Sequence, residues 1–447
     1  MKRRTRPVAD AVPAGIDPER VFAGCAGAKG IVLAVSGGPD STALMVLASR
    51  WSEAPPLLVV SVDHGLRAEA ADEARLVAEN ATRLGLPSRI MRCGAFSTDA
   101  NVMSEARKAR YACLAKAAAE AGFDTVATAH HLDDQAETLL MRMARGSGVY
   151  GLAAMSRETT IGELRLVRPL LDWRKADLVD VANESGLAVV QDPSNSDPHY
   201  SRARFRGLLP LLEEHGLTAE RLAKTAGRLG RAADALEQAA DRVLQEGFTA
   251  DQNGVISGPV EALAGVHEEI ALRVVGRLLR AAAGDPYTPR LDHLETLYNA
   301  LVEAQAAGGE IVRTLHGCVV DVRAGQVALR REWGRQGLER RAVKPGERLV
   351  WDNRFRIDVP DAEANAGESL TIAGLGDAGP GIRIAGLGHA VSQTLPALFR
   401  DGQLIAAPLP VTASERAREA HPGPVGTLGA LCLVGPALER GRTGVRP

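Results

Sequence analysis

Residues 31–41 read IVLAVSGGPDS and constrain the fold more than any other stretch of the chain. The apolar half predicts a buried strand, Gly37 and Gly38 predict a tight turn, and Pro39 suits the first position of a helix reaching Arg50. This order aims free backbone N–H groups and the positive end of a helix dipole at one point. We therefore expect an α/β unit with an anion, in the simplest case a phosphate, bound at the turn.

The turn differs from the phosphate loop of ordinary P-loop enzymes, because no Lys follows its glycines. A second interpretation stays open, in which the glycines only close a strand–helix turn and Asp40 only complements the helix dipole. The rest of the sequence has to decide between these two interpretations.

Strand-like and helix-like segments alternate through the first half of the chain. This alternation is typical of a doubly wound, mostly parallel sheet, which binds its ligands beyond the carboxyl ends of the strands. After the first strand and helix, the apolar patterns predict strands over 57–63, 88–92, 125–129 and 166–171, and helices over 69–84, 102–121, 132–145 and 173–185.

The chain has 447 residues, enough for several domains. A long amphipathic pattern follows the α/β region, and short β-like runs separated by Gly, Pro and Asp follow later. We expect an N-terminal arm (1–28), an α/β domain (29–216), a connecting helix with a small α+β domain (217–332), a small C-terminal β-rich module (333–411), and a tail of uncertain structure (412–447).

Charge and cysteine usage exclude several classes of protein. A net charge of -2 gives no overall attraction to nucleic acid, so such binding needs local basic patches. The five cysteines are scattered, which argues against a disulfide framework or a Cys-x-x-Cys metal site. No apolar run approaches the about 20 residues that span a bilayer. We expect a cytoplasmic protein with no membrane contact, and nothing implies a protein partner.

An acidic motif follows the fourth predicted strand, in the string HHLDDQAE. His130, Asp134 and Glu137 are spaced four and three residues apart, so on a helix they would share one face at the carboxyl edge of the sheet. Two carboxylates there could receive a substrate amine or hold Mg²⁺, and His130 could steady a phosphate. The alternatives are a solvated helix face and, less in keeping with the ligand set, a transition-metal site.

Histidine and arginine side chains surround this edge in the predicted fold. The end of the second strand, with His64 and Arg67, is expected to meet the nucleotide. Arg107 shares a helix face with Arg110, where the pair could clamp phosphate or form surface ion pairs. If their segment is extended, three later arginines point the same way and suit a nucleic-acid backbone; otherwise they begin a basic surface helix. These three are Arg202, Arg204 and Arg206.

Six strings together carry a family resemblance. SGGPDS, VDHGLR, SEARKARY, HHLDDQAETLLMRMARGSG, RPLL and QDPSN with the R-x-R-x-R after it resemble, in order and spacing, the tRNA(Ile)-lysidine synthases. These are pyrophosphate-loop ATPases, which split ATP to AMP and pyrophosphate. The resemblance covers residues 30–210 motif by motif and 218–410 in layout. It implies ATP-dependent ligation of free L-lysine to carbon 2 of the wobble cytidine in a CAU-anticodon isoleucine tRNA, through an adenylated tRNA, giving lysidine.

The resemblance also implies roles for individual residues. Ser36, Gly37, Gly38 and Ser41 would hold the phosphates of ATP, Asp40 would take Mg²⁺, and Asp134 and Glu137 would hold the lysine ammonium. His130 and Arg110 would support the activated base, and Arg202, Arg204 and Arg206 would contact the anticodon loop. His64, Arg67 and Arg107 complete the expected ATP contacts.

Two other functions remain as alternatives. A pyrophosphate-loop enzyme that thiolates tRNA would use paired cysteines, whereas Cys25, Cys93 and Cys113 are not close in sequence. A non-catalytic, ATP-dependent tRNA binder would have little reason to bury acids beside phosphates, given the cost of desolvating them.

Overall fold

The computed structural model describes residues 15–63, 69–92, 102–161, 164–190, 201–361, 369–414, 417, 420–421 and 425–439. The chain separates into two compact units, and the boundary falls between Ala233 and Asp234 inside one long helix. No helix within the described ranges is long and apolar enough to cross a membrane.

The first unit is built on a six-stranded sheet in the order β3-β2-β1-β4-β6-β5. The first five strands in this order pair in parallel, and β5 adds an antiparallel edge to β6. The predicted doubly wound, mostly parallel sheet is thus confirmed. Its strands are β1 (Ile31–Ala34), β2 (Leu57–Asp63), β3 (Ser88–Arg92), β4 (Thr125–Ala127), β5 (Glu158–Ile161) and β6 (Leu164–Val167).

Helices cover both faces of this sheet. Alternate residues of β1 point to opposite faces, and each face packs in its own hydrophobic cluster. Ile31 and Leu33 pack with α2 and α7 on one face, while Val32 packs with α4 on the other. The helices of the unit are α1 (Pro18–Phe22), α2 (Pro39–Arg50), α3 (Ala70–Arg83), α4 (Val102–Ala121), α5 (Leu132–Met143), α6 (Val149–Leu152), α7 (Lys175–Glu184) and α8 (Ser201–Glu214).

The strand order places the two predicted motifs side by side. Sequence order reverses between neighbours β1 and β4, and in open α/β sheets ligands bind in the crevice at such a reversal. The glycine turn follows β1 and the acidic motif follows β4. Both motifs therefore start from the same edge of the sheet, on adjacent strands.

The long helix α9 (Ala219–Gly247) agrees with the amphipathic pattern and continues into the second unit. A five-stranded antiparallel sheet in the order β7-β8-β11-β10-β9 packs with α11 and α12 there. The elements of this part are β7 (Thr249–Ala250), β8 (Ile256–Pro259), α10 (Glu261–Ala264), α11 (Glu268–Ala283), α12 (Leu291–Ala307), β9 (Ile311–Leu315), β10 (Cys318–Arg323) and β11 (Gln326–Arg331).

The C-terminal part of the second unit is β-rich, as predicted, and holds three further sheets among its described residues. Two of its strands, β20 and β21, lie beyond residue 411 in the region expected as a tail, and β21 pairs with β14. The elements are β12 (Arg341–Val343), β13 (Arg348–Trp351), β14 (Phe355–Asp358), β15 (Leu370–Gly374), β16 (Ile382–Ile384), α13 (His389–Ser392), β17 (Pro396–Arg400), β18 (Gln403–Ala407), β19 (Val411–Ala413), β20 (Gly426–Thr427), β21 (Gly429–Cys432) and α14 (Val434–Glu439).

Two buried cysteines give a test of the packing. Burial raises the pKa of Cys25 to about 11 and that of Cys318 to about 12, and only the thiolate is reactive. In the native chain at pH 8 we expect iodoacetamide to leave both thiols unmodified, and in urea to modify both, as read by peptide mass spectrometry. Rapid native modification of either residue would contradict the packing of its core.

Candidate active site

Val190 packs against the glycine turn and is hydrogen-bonded to it. Gly37 has a φ of +89°, which favours glycine, and a Cβ at this position would lie 2.8 Å from Cγ2 of Val190. The Val190 N–H donates to the Gly37 carbonyl at 2.8 Å. The conformation therefore depends on glycine at 37 and on a residue far along the chain.

The two serines of the turn hold its shape. The Ser36 N–H donates to Ser41 Oγ at 3.2 Å, and Ser41 Oγ donates to the Gly38 carbonyl at 3.0 Å. Gly38 is the N-cap of α2 and supplies no capping side chain. The first N–H groups of α2 thus lack the side-chain acceptor that a Ser or Asp cap would bring, which suits an anion at this end.

Asp40 fits the Mg²⁺ ligand that the resemblance implies. Its Oδ1 atom is buried and has no hydrogen-bond partner, and its Oδ2 lies 3.6 Å from Nε2 of His131. Mg²⁺ next to phosphates commonly takes one or two carboxylates and completes its shell with phosphate oxygens and waters. Among the described residues, no group of three or more His, Cys, Asp or Glu side chains is placed to hold a metal.

His131 lies at the centre of the site, and sequence reasoning missed it. It is the N-cap of α5: its Nδ1 accepts from the Asp134 N–H at 3.4 Å, and its own N–H donates to Asp134 Oδ2 at 3.1 Å. Burial lowers the pKa of His131, but the nearby carboxylates of Asp40, Asp134 and Asp133 outweigh burial, so the pKa is raised. The signal was available in the sequence as a capping position three residues before an acid.

The prediction that His130, Asp134 and Glu137 share one helix face is wrong for His130. Helix α5 begins at Leu132, so His130 precedes the helix, and its Nδ1 lies 2.9 Å from Thr128 Oγ1. Equal spacing identifies a common face only within the helix itself. His130 still lies at the end of β4, beside the crevice.

Glu137 is held by Arg206. Glu137 is 0 % exposed, and the Arg206 Nε and Nη2 groups donate to its two carboxylate oxygens at 2.7 and 3.3 Å. A predicted lysine ligand and a predicted tRNA contact are therefore bonded to each other. Asp134, one turn earlier on α5, lies between this pair and His131, with Oδ2 3.5 Å from His131 Nε2.

Of the two interpretations of the three arginines, the structure agrees with the helix and not with the extended row. Residues 201–214 form helix α8, in which alternate residues point to different sides. Arg204 is exposed, Arg206 turns toward α5, and the side chain of Arg202 lies outside the described residues.

The remaining predicted residues lie on the other side of the sheet edge or outside the described ranges. Arg107 and Arg110 on α4 place their guanidinium carbons 5.2 and 5.9 Å from the ring centre of Tyr111. His64 and Arg67 fall outside the described residues.

Arg174 links three helices beside the acidic motif. Its Nε lies 3.3 Å from Asp133 Oδ1 and its Nη2 lies 3.3 Å from Glu213 Oε1, and Nη1 bonds to Glu220. Asp133 also accepts from the Lys175 N–H at 2.7 Å. These contacts connect the starts of α5, α7 and α9 with the end of α8.

The Arg174–Glu220 pair predicts a dependence on pH. The hydrogen bond from Arg174 lowers the pKa of Glu220 from about 4.5 to about 2. A lowered carboxyl pKa stabilises the fold above about pH 4.5, and the contribution is lost as pH falls toward 2. Urea unfolding should show wild type more stable than Glu220→Gln at pH 6, by less than about 1 kcal/mol for so exposed a pair. This difference should shrink by pH 3.5; a constant difference would contradict the pairing.

The sequence of the chain is similar to those of known proteins. Residues 17–212 match the model of the PP-loop domain family. The tRNA(Ile)-lysidine synthase of Rhodopseudomonas palustris is 42 % identical over 70 % of this chain and 93 % of its own length. That of Methylobacterium nodulans is 44 % identical over 68 % and 90 %.

Among solved structures, a U34-tRNA thiolase from Methanococcus maripaludis aligns with 18 % identity and a TM-score of 0.41, over 48 % of this chain and 78 % of its own. This likeness is too distant to indicate a shared activity. The two curated relatives match over nine tenths of their lengths, and they confirm the resemblance that the six strings carry. The chain therefore belongs to the tRNA(Ile)-lysidine synthase family of ATP-dependent ligases.

Proposed function

We propose that the protein ligates free L-lysine to carbon 2 of the wobble cytidine in the CAU anticodon of an isoleucine tRNA, with ATP as the energy source. In the first step the cytidine O2 attacks the α-phosphorus of ATP and pyrophosphate leaves. In the second step the lysine ε-amine attacks carbon 2, the bond from carbon 2 to the adenylate oxygen breaks, and AMP leaves. The amine loses its protons, and the product is lysidine.

One observation carries this proposal: the glycine turn and the acidic motif face each other across the strand-order reversal. Oδ2 of Asp40, in the turn, lies 3.6 Å from Nε2 of His131, in the acidic motif. A reaction between ATP and an amine needs an anion site beside carboxylates, and this edge of the sheet provides both.

Each predicted residue has a role in this scheme. Backbone N–H groups at Gly37 and Gly38, with Ser36 and Ser41, would bind phosphates, and Asp40 would hold Mg²⁺. When bound, Mg²⁺ stabilises the charge that develops on pyrophosphate. His131 would keep Asp40 oriented, since the two side chains are close and His131 is fixed as a helix cap.

For lysine, we propose Asp134 as the ammonium ligand nearest the turn. Glu137 would join it when Arg206 turns toward tRNA, because Arg206 neutralises Glu137 in the free chain. A carboxylate within reach of the amine would position it or take its proton. His130 and Arg110 would support the activated cytidine, and His64, Arg67 and Arg107 would complete the ATP contacts.

We assign the tRNA contacts to Arg202, Arg204 and Arg206 and, by the layout of the family, to residues 217–332 and 333–411. The α/β region 29–216 would be the catalytic domain, preceded by the arm 1–28. Since ATP and tRNA are cytoplasmic substrates, we also place the enzyme in the cytoplasm.

The test measures AMP and lysidine formation from ATP and a CAU-anticodon isoleucine tRNA transcript, with and without lysine. We expect stoichiometric lysidine and AMP only when all three substrates are present. A requirement for a sulfur donor would favour tRNA thiolation, and tRNA binding without turnover would favour a non-catalytic binder. Either outcome would overturn the proposal.

A further inference from the structure

Arg168, the arginine of the RPLL string, is buried in a way that none of these roles explains. It is 5 % exposed and lies one residue beyond β6, at the carboxyl edge of the sheet. Its Nη1 donates to the Ser156 carbonyl at 2.7 Å, while its buried Nε has no hydrogen-bond partner. Within the described ranges, no carboxylate pairs with this guanidinium. A buried guanidinium with an unbonded N–H group is unusual and needs a physical explanation.

Two other arginines of the same chain are as deeply buried, and both have carboxylate partners. Arg277 is 8 % exposed, and its Nη1 lies 2.7 Å from Asp241 and 3.3 Å from Glu237. Arg354 is 1 % exposed and its Nε lies 2.7 Å from Asp352. Removing a cation from water is costly unless an anion compensates it. Arg168 therefore lacks what the chain supplies to its other buried arginines.

The surroundings of Arg168 add positive charge. Leu166, two residues earlier, packs with Tyr111 on the α4 side of the sheet. Burial lowers the pKa of Arg168; Tyr111 raises it and the positive charge of Arg107 lowers it further. Arg107 and Arg110 both approach the Tyr111 ring. Two arginines thus lie beside Tyr111, which belongs to the same cluster as Leu166.

The region around Arg168 lies next to the proposed reaction site. The Thr128 N–H donates to the Val167 carbonyl at 3.0 Å, so the residue before Arg168 is bonded to the end of β4. Thr128 in turn contacts His130, which the proposed function places at the activated base. An anion bound at Arg168 would lie on the α4 side of the sheet edge, next to the reacting groups.

We propose that Arg168, together with Arg107 and Arg110, binds a phosphate group on the α4 side of the sheet edge. The inference rests on the proposed function, which brings two sources of phosphate to this edge: ATP and the sugar–phosphate backbone of the tRNA. A guanidinium donates two parallel N–H groups to phosphate oxygens, and the phosphate would supply the negative charge that no described carboxylate supplies to Arg168.

The first test compares Arg168→Met with Arg277→Met by thermal unfolding without ligands. Arg168→Met removes an unpaired buried charge, so its Tm should equal or exceed that of wild type. Arg277→Met removes the guanidinium that contacts Glu237 and Asp241 and should lower the Tm clearly. If Arg168→Met lowers the Tm as much as Arg277→Met, Arg168 is structural and the proposal is overturned.

The second test measures two dissociation constants for wild type, Arg168→Met and Arg168→Lys: that of ATP without tRNA, and that of tRNA without ATP. We expect Arg168→Met to weaken one of them by about 10- to 100-fold, with partial recovery in Arg168→Lys. The constant that changes identifies the source of the phosphate. If it is tRNA, the slope of log K against log salt should also fall by about 0.7–0.9.

Unchanged dissociation constants for both substrates would overturn the proposal. These measurements need no turnover, so they are separate from the proposed function, whose failure would appear as wild-type enzyme that forms no lysidine. Arg165→Gln is a suitable control, because Arg165 is on β6 and pairs with Glu158 away from the edge. We expect its two dissociation constants to match those of wild type.

Discussion

Replacing Asp40 with Asn is expected to lower the rate of lysidine formation by about 100-fold or more at saturating substrates. Asn keeps the shape of the side chain but removes the charge that would hold Mg²⁺ against the phosphates, and such a metal contributes several kcal/mol to charge stabilisation. The measurement is the single-turnover rate at increasing Mg²⁺ concentrations, and the variant should need much more Mg²⁺ for half its maximal rate.

Asp40→Asn has a second readout that does not depend on turnover. Asp40 is one of the carboxylates that raise the pKa of His131, so NMR titration of His131 in the variant should show a lower pKa. Asp72→Asn is the control, since Asp72 is an exposed residue of α3. An Asp40→Asn enzyme with wild-type rate and Mg²⁺ dependence would contradict the proposed Mg²⁺ site.

Removing Arg206 is expected to destabilise the first unit by about 3 kcal/mol. Arg206→Ala leaves the carboxylate of Glu137 buried and without the cation that binds both of its oxygens, and breaking a buried ion pair on one side is costly. Urea unfolding at pH 7 measures the change. Lysidine formation should fall as well, because Arg206 is a proposed tRNA contact.

A double-mutant cycle with Glu137→Gln separates the pair from the rest of the fold. Arg206→Ala combined with Glu137→Gln should recover much of the stability that Arg206→Ala loses, because the buried negative charge is gone. Arg204→Ala, on an exposed residue of the same helix, should leave stability within about 0.5 kcal/mol of wild type. Additive losses in the cycle would contradict the ion pair.

Much of the fold could be predicted because its signals are local. Pro39 and the glycines before it define the start of α2, and the predicted bounds of α2 and α4 agree with the structure. Alternation of strands and helices then implied the parallel sheet. The edge strand β5 was missed, since its four residues, ETTI, resemble a loop and only pairing with β6 makes them a strand.

The candidate site was predictable in its location and less so in its contacts. Strand order brought the two motifs together, but His130 was assigned to a helix face although the predicted helix, like the observed one, begins at residue 132. The ion pair of Glu137 with Arg206 connects residues 69 positions apart, and no local sequence pattern predicts such a contact. The lone buried charge of Arg168 was likewise invisible, because burial is a property of the folded chain.

The hydrogen bond from Val190 to Gly37 has a consequence for biosynthesis. The turn that would bind ATP is made early on the ribosome, yet its closing partner is synthesised about 150 residues later. A growing chain that ends before Val190 has the glycines without the contact that holds them. Nucleotide affinity should therefore arise late in translation, when most of the first unit has emerged.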